Sequence, residues 1–187
     1  FTCVLLMLPF LINAQVFTEV SQQIGIDSIA GTEHSTGAAF FDYDNDGALD
    51  IYYVGGGGRD YLFKNNGDGS FTEVGISAGL SFTAQAYTEG VNVGDIDNDG
   101  DKDILLTTIS SDALYYSAPH IPPILIRNNG DGTFTNISNT SGINGLGGWG
   151  GSSAFLDVNL DGYLDIYTEN FTDSIHLTMD SITGDLL

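Results

Sequence analysis

The sequence predicts an all-β chain, a β-propeller of four-stranded antiparallel blades with about three blades in its 187 residues. Three observations carry this prediction. A nine-residue acidic pattern, D-x-(D/N)-x-D-G-x-x-D, opens at Asp42, Asp95 and Asp157, 53 and 62 residues apart. Short apolar, β-branched and aromatic runs flank each copy, with almost nothing of helical period between them. A second marker, N-N-G-D-G, follows two of the copies, at Asn65–Gly69 and Asn128–Gly132. Four short strands recurring at such a period are the pattern of a propeller blade.

Residues 1–14, FTCVLLMLPFLINA, are apolar and too short to span a bilayer. They read as the apolar part of a secretory signal peptide cut after Ala14, with its basic front end missing. Cys3, the sole cysteine, lies inside this stretch, so the remaining chain has no disulfide framework. Phe17-Thr18-Glu19-Val20 matches Phe71-Thr72-Glu73-Val74 further on. Residues 15–30 therefore read as an outer strand that closes the ring by completing the last blade.

The first blade is expected at 38–80. Ala38–Phe41 leads into the first acidic loop, Ile51–Val54 leads out, and Gly55–Gly58 makes a flexible tip. Tyr61–Lys64 then enters the N-N-G-D-G hairpin, whose Asn, Asp and Gly are turn chemistry. Asp68 and its counterpart Asp131 are therefore expected to form turns rather than bind metal. The second blade, 91–143, repeats the plan with about ten extra residues near 109–123, an aromatic and proline-rich insert suited to making contacts. The third, 153–187, shows two clear strands and then loses the hairpin marker, with Thr183-Gly184-Asp185 as a degenerate turn. Phe40, Val93 and Phe155 precede the loops by two residues, and Ile51, Ile104 and Ile166 directly follow them. The loops therefore join antiparallel strands, whereas helices flank the calcium loop of an EF-hand.

Carboxylates at positions 1, 3, 5 and 9, with glycine at 6, suit a hard divalent cation that takes 6 to 8 oxygen ligands. The expected ligands are Asp42, Asp44, Asp46 and Asp50, with the Ala48 carbonyl, in the first loop. In the second they are Asp95, Asp97, Asp99 and Asp103, with the Asp101 carbonyl; in the third, Asp157, Asn159, Asp161 and Asp165, with the Tyr163 carbonyl. About three structural Ca²⁺ are expected. Their proposed ligands take up 11 of the 25 acidic residues of a chain whose formal net charge is −21. Only Arg59, Lys64, Lys102 and Arg127 are basic, too few to neutralise nucleic-acid phosphate or an anionic membrane. No membrane insertion is expected after signal cleavage.

The D-x-D-x-D-G-x-x-D loop, the N-N-G-D-G-(S/T)-F-T hairpin and the following G-I-S-A-G-L together resemble the FG-GAP or VCBS-type repeat. The nearest flavour is the cartilage-acidic-protein-like (ASPIC/UnbV-associated) family, and Trp149-Gly150 is similar to a Trp-Gly pair such repeats carry before the loop. The resemblance covers Val16 to about Asn170. It implies an integrin-α-like propeller with Ca²⁺ between a blade's first and second strands, in a secreted or surface protein concerned with adhesion or ligand binding.

Other motifs carry less. Gly145–Gly150 satisfies G-x-G-x-x-G but leads into a strand and a metal loop, not the helix a dinucleotide site requires. His34, His120 and His176 lack zinc-type spacing, and Gly151-Ser152-Ser153 enters a strand rather than a nucleophile elbow. The expectation is a non-enzymatic module that binds a protein or glycan. The alternative is a polysaccharide-active, lyase-like enzyme. Such an enzyme needs cations to hold a uronate and a base to take its proton, and these residues provide no basic cluster.

Overall fold

A computed structural model describes residues 17–27, 36–109, 122–145, 150–170 and 180–181. Among them, strands form three antiparallel sheets. The first blade is β1 (Ala38–Phe41), β2 (Asp50–Tyr53), β3 (Tyr61–Asn65) and β4 (Phe71–Glu73), paired in that order. The second is β5 (Thr88–Gly94), β6 (Asp103–Thr108), β7 (Ile124–Asn128) and β8 (Phe134–Asn136), again in sequence order. The third sheet pairs β9 (Gly150–Leu156), β10 (Asp165–Asn170) and β11 (Asp180–Ser181). The flanking apolar residues pair as the repeat requires: Phe40 faces Ile51, Val93 faces Ile104 and Phe155 faces Ile166 across their ladders. These sheets are propeller blades.

Apolar layers join the blades face to face. Tyr52, Val54, Leu62 and Leu80 of the first blade and its following turn pack with Ile104, Leu106, Ile126 and Phe134 of the second. Leu105, Leu125 and Ile143 of the second meet Ile166 and Phe155 of the third. All six residues of β6 are buried, because that strand has a neighbouring blade on each face. This explains why Ile104, Leu105 and Leu106 run on without a break, where a sheet with one wet face would alternate.

The blades begin about three residues earlier than 91 and 153, at Thr88 and Gly150, because first strands open with glycines that read as loop. These glycines lie where a first strand closes on the first or second strand beside it. A Cβ on Gly37 would meet the Glu89 carbonyl at 3.2 Å, and one on Gly90 would meet Thr107 Oγ1 at 2.8 Å. A Cβ on Gly150 would stand 3.0 Å from that of Thr107. Only a residue without a side chain allows so close an approach.

A second recurring device hooks each blade to the next. After β4 the chain turns at Gly79, in the left-handed region at φ 88°, and the Ala78 carbonyl accepts the Phe134 amide of β8 at 2.9 Å. Leu80 then enters the layer between the blades, 1% exposed. Gly25 (φ 85°) and Ile26 repeat the arrangement one blade earlier, with Ile26 packed near Ile51, Tyr61 and Phe63. Residues 17–20 differ from the strand expected within 15–30. They form no ladder, Phe17 is 88% exposed, and a single helical turn, α1 (Ser21–Ile24), follows. A strand exists only beside a partner, and no described strand lies alongside this segment.

Away from the acidic loops sits a buried carboxylate that the sequence did not single out. Asp60 is 1% exposed. It accepts the Tyr52 hydroxyl at 2.8 Å, the Gly55 amide at 2.9 Å and the Thr88 hydroxyl at 2.7 Å. It thus fastens the tip between β2 and β3 to the start of the second blade, and burial pushes its carboxyl above the ordinary range. The signal peptide, Cys3, His34, His120, His176, Trp149, nearly all of the 109–123 insert and the Thr183–Asp185 turn lie outside the described residues.

Leu80 gives the test of this packing. Leu80→Ala should cost about 2–5 kcal/mol in denaturant unfolding, whereas Ile76→Ala, at a position 61% exposed, should stay within about 0.5 kcal/mol. Equal effects would contradict the layered arrangement.

Candidate metal centre

All three acidic loops share one backbone design. The position-one aspartate accepts two amides, from positions five and six. For Asp42 these come from Asp46 and Gly47 (3.1 and 2.8 Å), for Asp95 from Asp99 and Gly100 (3.1 and 3.0 Å), and for Asp157 from Asp161 and Gly162 (3.1 and 2.9 Å). The position-five carboxylate accepts the amide of position seven at 2.9 Å in each loop: Ala48, Asp101 and Tyr163. Position six requires glycine, with φ between 88° and 97°. Position four is also left-handed, at Asn45 (φ 58°), Asn98 (φ 60°) and Leu160 (φ 61°), a region that asparagine tolerates better than leucine.

Position nine does more than a ligand's work. Asp50, Asp103 and Asp165 are at most 4% exposed. Each takes the amide of position two through Oδ2, from Tyr43, Ile96 and Val158 at 3.0, 2.9 and 2.9 Å. In the first two blades Oδ1 also accepts the last amide of the third strand, Asn65 at 2.7 Å and Asn128 at 2.8 Å. The carboxylate therefore clamps the loop to β3 or β7. Each oxygen keeps a further lone pair for a cation, since a carboxylate has about four acceptor sites.

The predicted ligands converge unequally. One oxygen each of Asp42, Asp44 and Asp50 fall within 4.8 Å of one another, as do those of Asp95, Asp97 and Asp99. Asp46 and Asp103 stand outside these groups. Asp46 Oδ1 holds the Ala48 amide and its Oδ2 holds Lys64 Nζ at 2.9 Å. The third loop brings no three carboxylates so close. Asn159 replaces one of them, and its amide nitrogen binds Asp161 Oδ2 at 2.9 Å. Asp68 and Asp131 lie in the neighbouring hairpins, where each accepts the amide and hydroxyl of the residue two on, Ser70 or Thr133.

The donor set fits a hard cation. It is all oxygen, and Asp44 Oδ1 is buried with no hydrogen-bond partner, an arrangement that costs free energy unless a donor or cation faces it. Electrostatics point the same way. Burial first, with Asp97 and Asp99 nearby, pushes the Asp103 carboxyl up to about 6. Burial likewise raises Asp50 and, with the Asp99 charge, Asp97. Asp46 moves the other way, lowered by the Ala48 amide and by Lys64.

Sequence reasoning missed the bonds between loops. Asn45 Nδ2 donates to Asp101 Oδ1 of the second loop at 2.5 Å, and Asn98 Nδ2 to the Gly162 carbonyl of the third at 2.9 Å. Asn128, the first asparagine of N-N-G-D-G, is 1% exposed and donates to the Tyr43 carbonyl of the preceding blade's loop at 2.8 Å. The repeated asparagines were the available signal, but turn chemistry accounts locally for those of the hairpins, and Asn45 and Asn98 fall between the expected ligand positions of their loops.

Blades joined in this way, each with an Asp-rich hairpin between its first and second strands, define an acidic-loop propeller repeat protein. The chain belongs to the FG-GAP-like repeat family, whose model matches residues 42–106 and 115–168. It is also 28% identical over 123 residues to cartilage acidic protein 1 of Xenopus tropicalis. That match takes in 66% of this chain but 17% of the relative, so the chain spans a small part of that protein's length.

The raised carboxyl of Asp103 sets a sign for pH dependence. Its folded value of about 6 exceeds the ordinary 3.8, so the folded state holds the proton more tightly. The resulting stabilisation is full below the ordinary value and is lost as pH rises through about 6. The melting temperature of metal-free protein should fall between about pH 4 and pH 7, and added Ca²⁺ should flatten that slope. A metal-free melting temperature that climbs across this interval would contradict the shift.

Proposed function

We propose that this chain is part of a secreted or surface binding module whose propeller is stabilised by Ca²⁺ in the three acidic loops. The partner is a protein or a glycan. The observation that carries the metal assignment is the buried, unpartnered Asp44 Oδ1 within a converging all-oxygen group. In each loop the carboxylates or amide of positions one, three, five and nine, with the carbonyl of position seven, are the proposed holders. Those carbonyls belong to Ala48, Asp101 and Tyr163. The bound cation would supply positive charge that cancels the mutual repulsion of these groups. The chain's own residues fix the loop in advance, because the backbone amides already orient the position-one and position-nine carboxylates.

Binding is favoured over catalysis because the acidic groups are spent on loop structure and the basic ones form no cluster. Arg59 is engaged with Glu73 at 3.0 and 3.1 Å, and Lys64 with Asp44 and Asp46. The likeness to a protein named for cartilage supports an extracellular setting. Among the described residues, no helix is long and apolar enough to cross a membrane.

The direct test is calcium titration of the chelator-stripped protein with thermal melting alongside. Saturating Ca²⁺, at about 100 times Kd, should add roughly 2.7 kcal/mol per site. Asp97→Asn should selectively weaken one site. Identical melting in excess EDTA and in millimolar Ca²⁺ would falsify the structural-calcium reading. A glycan array and turnover assays on any hit would separate binding from the lyase-like alternative.

A further inference from the structure

The first and second loops share a backbone plan but differ in whether a cation is bonded across the carboxylates: Lys102, at position eight of the second loop, is exposed and joins no ion pair among the described residues. Lys64 is the penultimate residue of β3, and its Nζ bonds both Asp44 and Asp46, the latter at 2.9 Å. Its ammonium also lies 5.8 Å from the Tyr43 ring centre, so the side chain is drawn across the mouth of the loop. Lys64 is 31% exposed and Asp44 17%, a pairing half withdrawn from solvent. The equivalent residue of the second blade is Arg127, since Asn65 and Asn128, the next residues, make the same bond to position nine. Arg127 is exposed, and no ion pair joins it to the second loop among the described residues. The two loops also differ in which carboxylates converge. Position five belongs to the group in the second loop and is missing from the first, where Lys64 holds Asp46.

We propose that Lys64 is an internal competitor for the cation of the first loop, so that this loop fills at a higher Ca²⁺ concentration than the second. The inference rests on the calcium reading given above and names the residue that grades it. An oxygen lone pair engaged by an ammonium is withdrawn from a metal, and the ammonium repels a divalent ion placed among the same carboxylates. At a separation of a few ångströms in a wet site, this repulsion corresponds to a change in affinity on the order of tenfold. The ion pair also gives the first loop a metal-free structure of its own. The first two loops then have separate thresholds: the second orders its metal early, and the first exchanges Lys64 for a metal only when Ca²⁺ is abundant.

The test is calcium titration by calorimetry on the intact chain, comparing Lys64→Met, which keeps the apolar stem, with Arg127→Met. Lys64→Met should tighten one binding step about tenfold and lower the metal-free melting temperature while enlarging its rise on adding Ca²⁺. Arg127→Met should leave every step within about twofold. Lys64→Gln serves as the second variant if the methionine form does not fold. Unchanged or weaker calcium binding in a folded Lys64 variant overturns the proposal and leaves the calcium reading intact. A wild-type chain that takes up no calcium overturns both.

Discussion

The structure depends first on a buried carboxylate that ends each acidic loop. Burying a charge is costly unless it is hydrogen-bonded, and Asp50 and Asp103 meet that condition by accepting amides from their own loop and from the third strand. One side chain thereby fixes the loop's curl, the register of the first hairpin and the position of the next strand. The same burial, with the Asp97 and Asp99 charges adding to it, pushes the Asp103 carboxyl up to about 6. Local order and electrostatic strain thus come from the same atoms.

Between blades the constraint is closeness. Glycines at the starts of first strands let neighbouring backbones approach where no side chain would fit. Outward from there, aliphatic layers fill the space between sheets, and the turn after the fourth strand hooks onto the next blade through Ala78 and Phe134. Asp60 adds a polar fastening at the other end of the sheets from the acidic loops. The aliphatic layers, the Ala78–Phe134 bond and the Asp60–Thr88 bond all cross from one blade to the next, so a blade acquires much of its stability from its neighbours. That is the usual energetic arrangement in repeat proteins.

Much of this was legible in the residues. The spacing of Asp42, Asp95 and Asp157, and the apolar residues that bracket the loops, located every paired strand of the first two blades to within a few residues. Those signals are local and repeat, so they survive without tertiary information. The repeated glycine and aliphatic pair at Gly25-Ile26, Gly79-Leu80 and Gly142-Ile143 was visible as a pattern, but its purpose as a hook was not. Likewise Asp60 and Lys64 have no repeat to advertise them: the residue matching Asp60 is Pro123, and the one matching Lys64 is Arg127. A residue whose partners come from another part of the chain leaves no periodic trace. The segment 17–20 shows the converse, since a sequence able to form a strand forms one only beside a partner.

The asparagine at position four carries a consequence of another kind. Asn45 reaches forward to the second loop and Asn98 to the third, so the bonds run in one direction around the assembly. A loop's backbone turn is thus encoded in one repeat, while the group that anchors it belongs to the next. Duplicated units linked in this way cannot diverge independently, because a change at Asp101 is felt by Asn45, 56 residues earlier. At Leu160 the left-handed turn is kept without the amide, and its side chain stands 86% exposed. The third repeat has the shape of the joint without the bond that accompanies it in the first two.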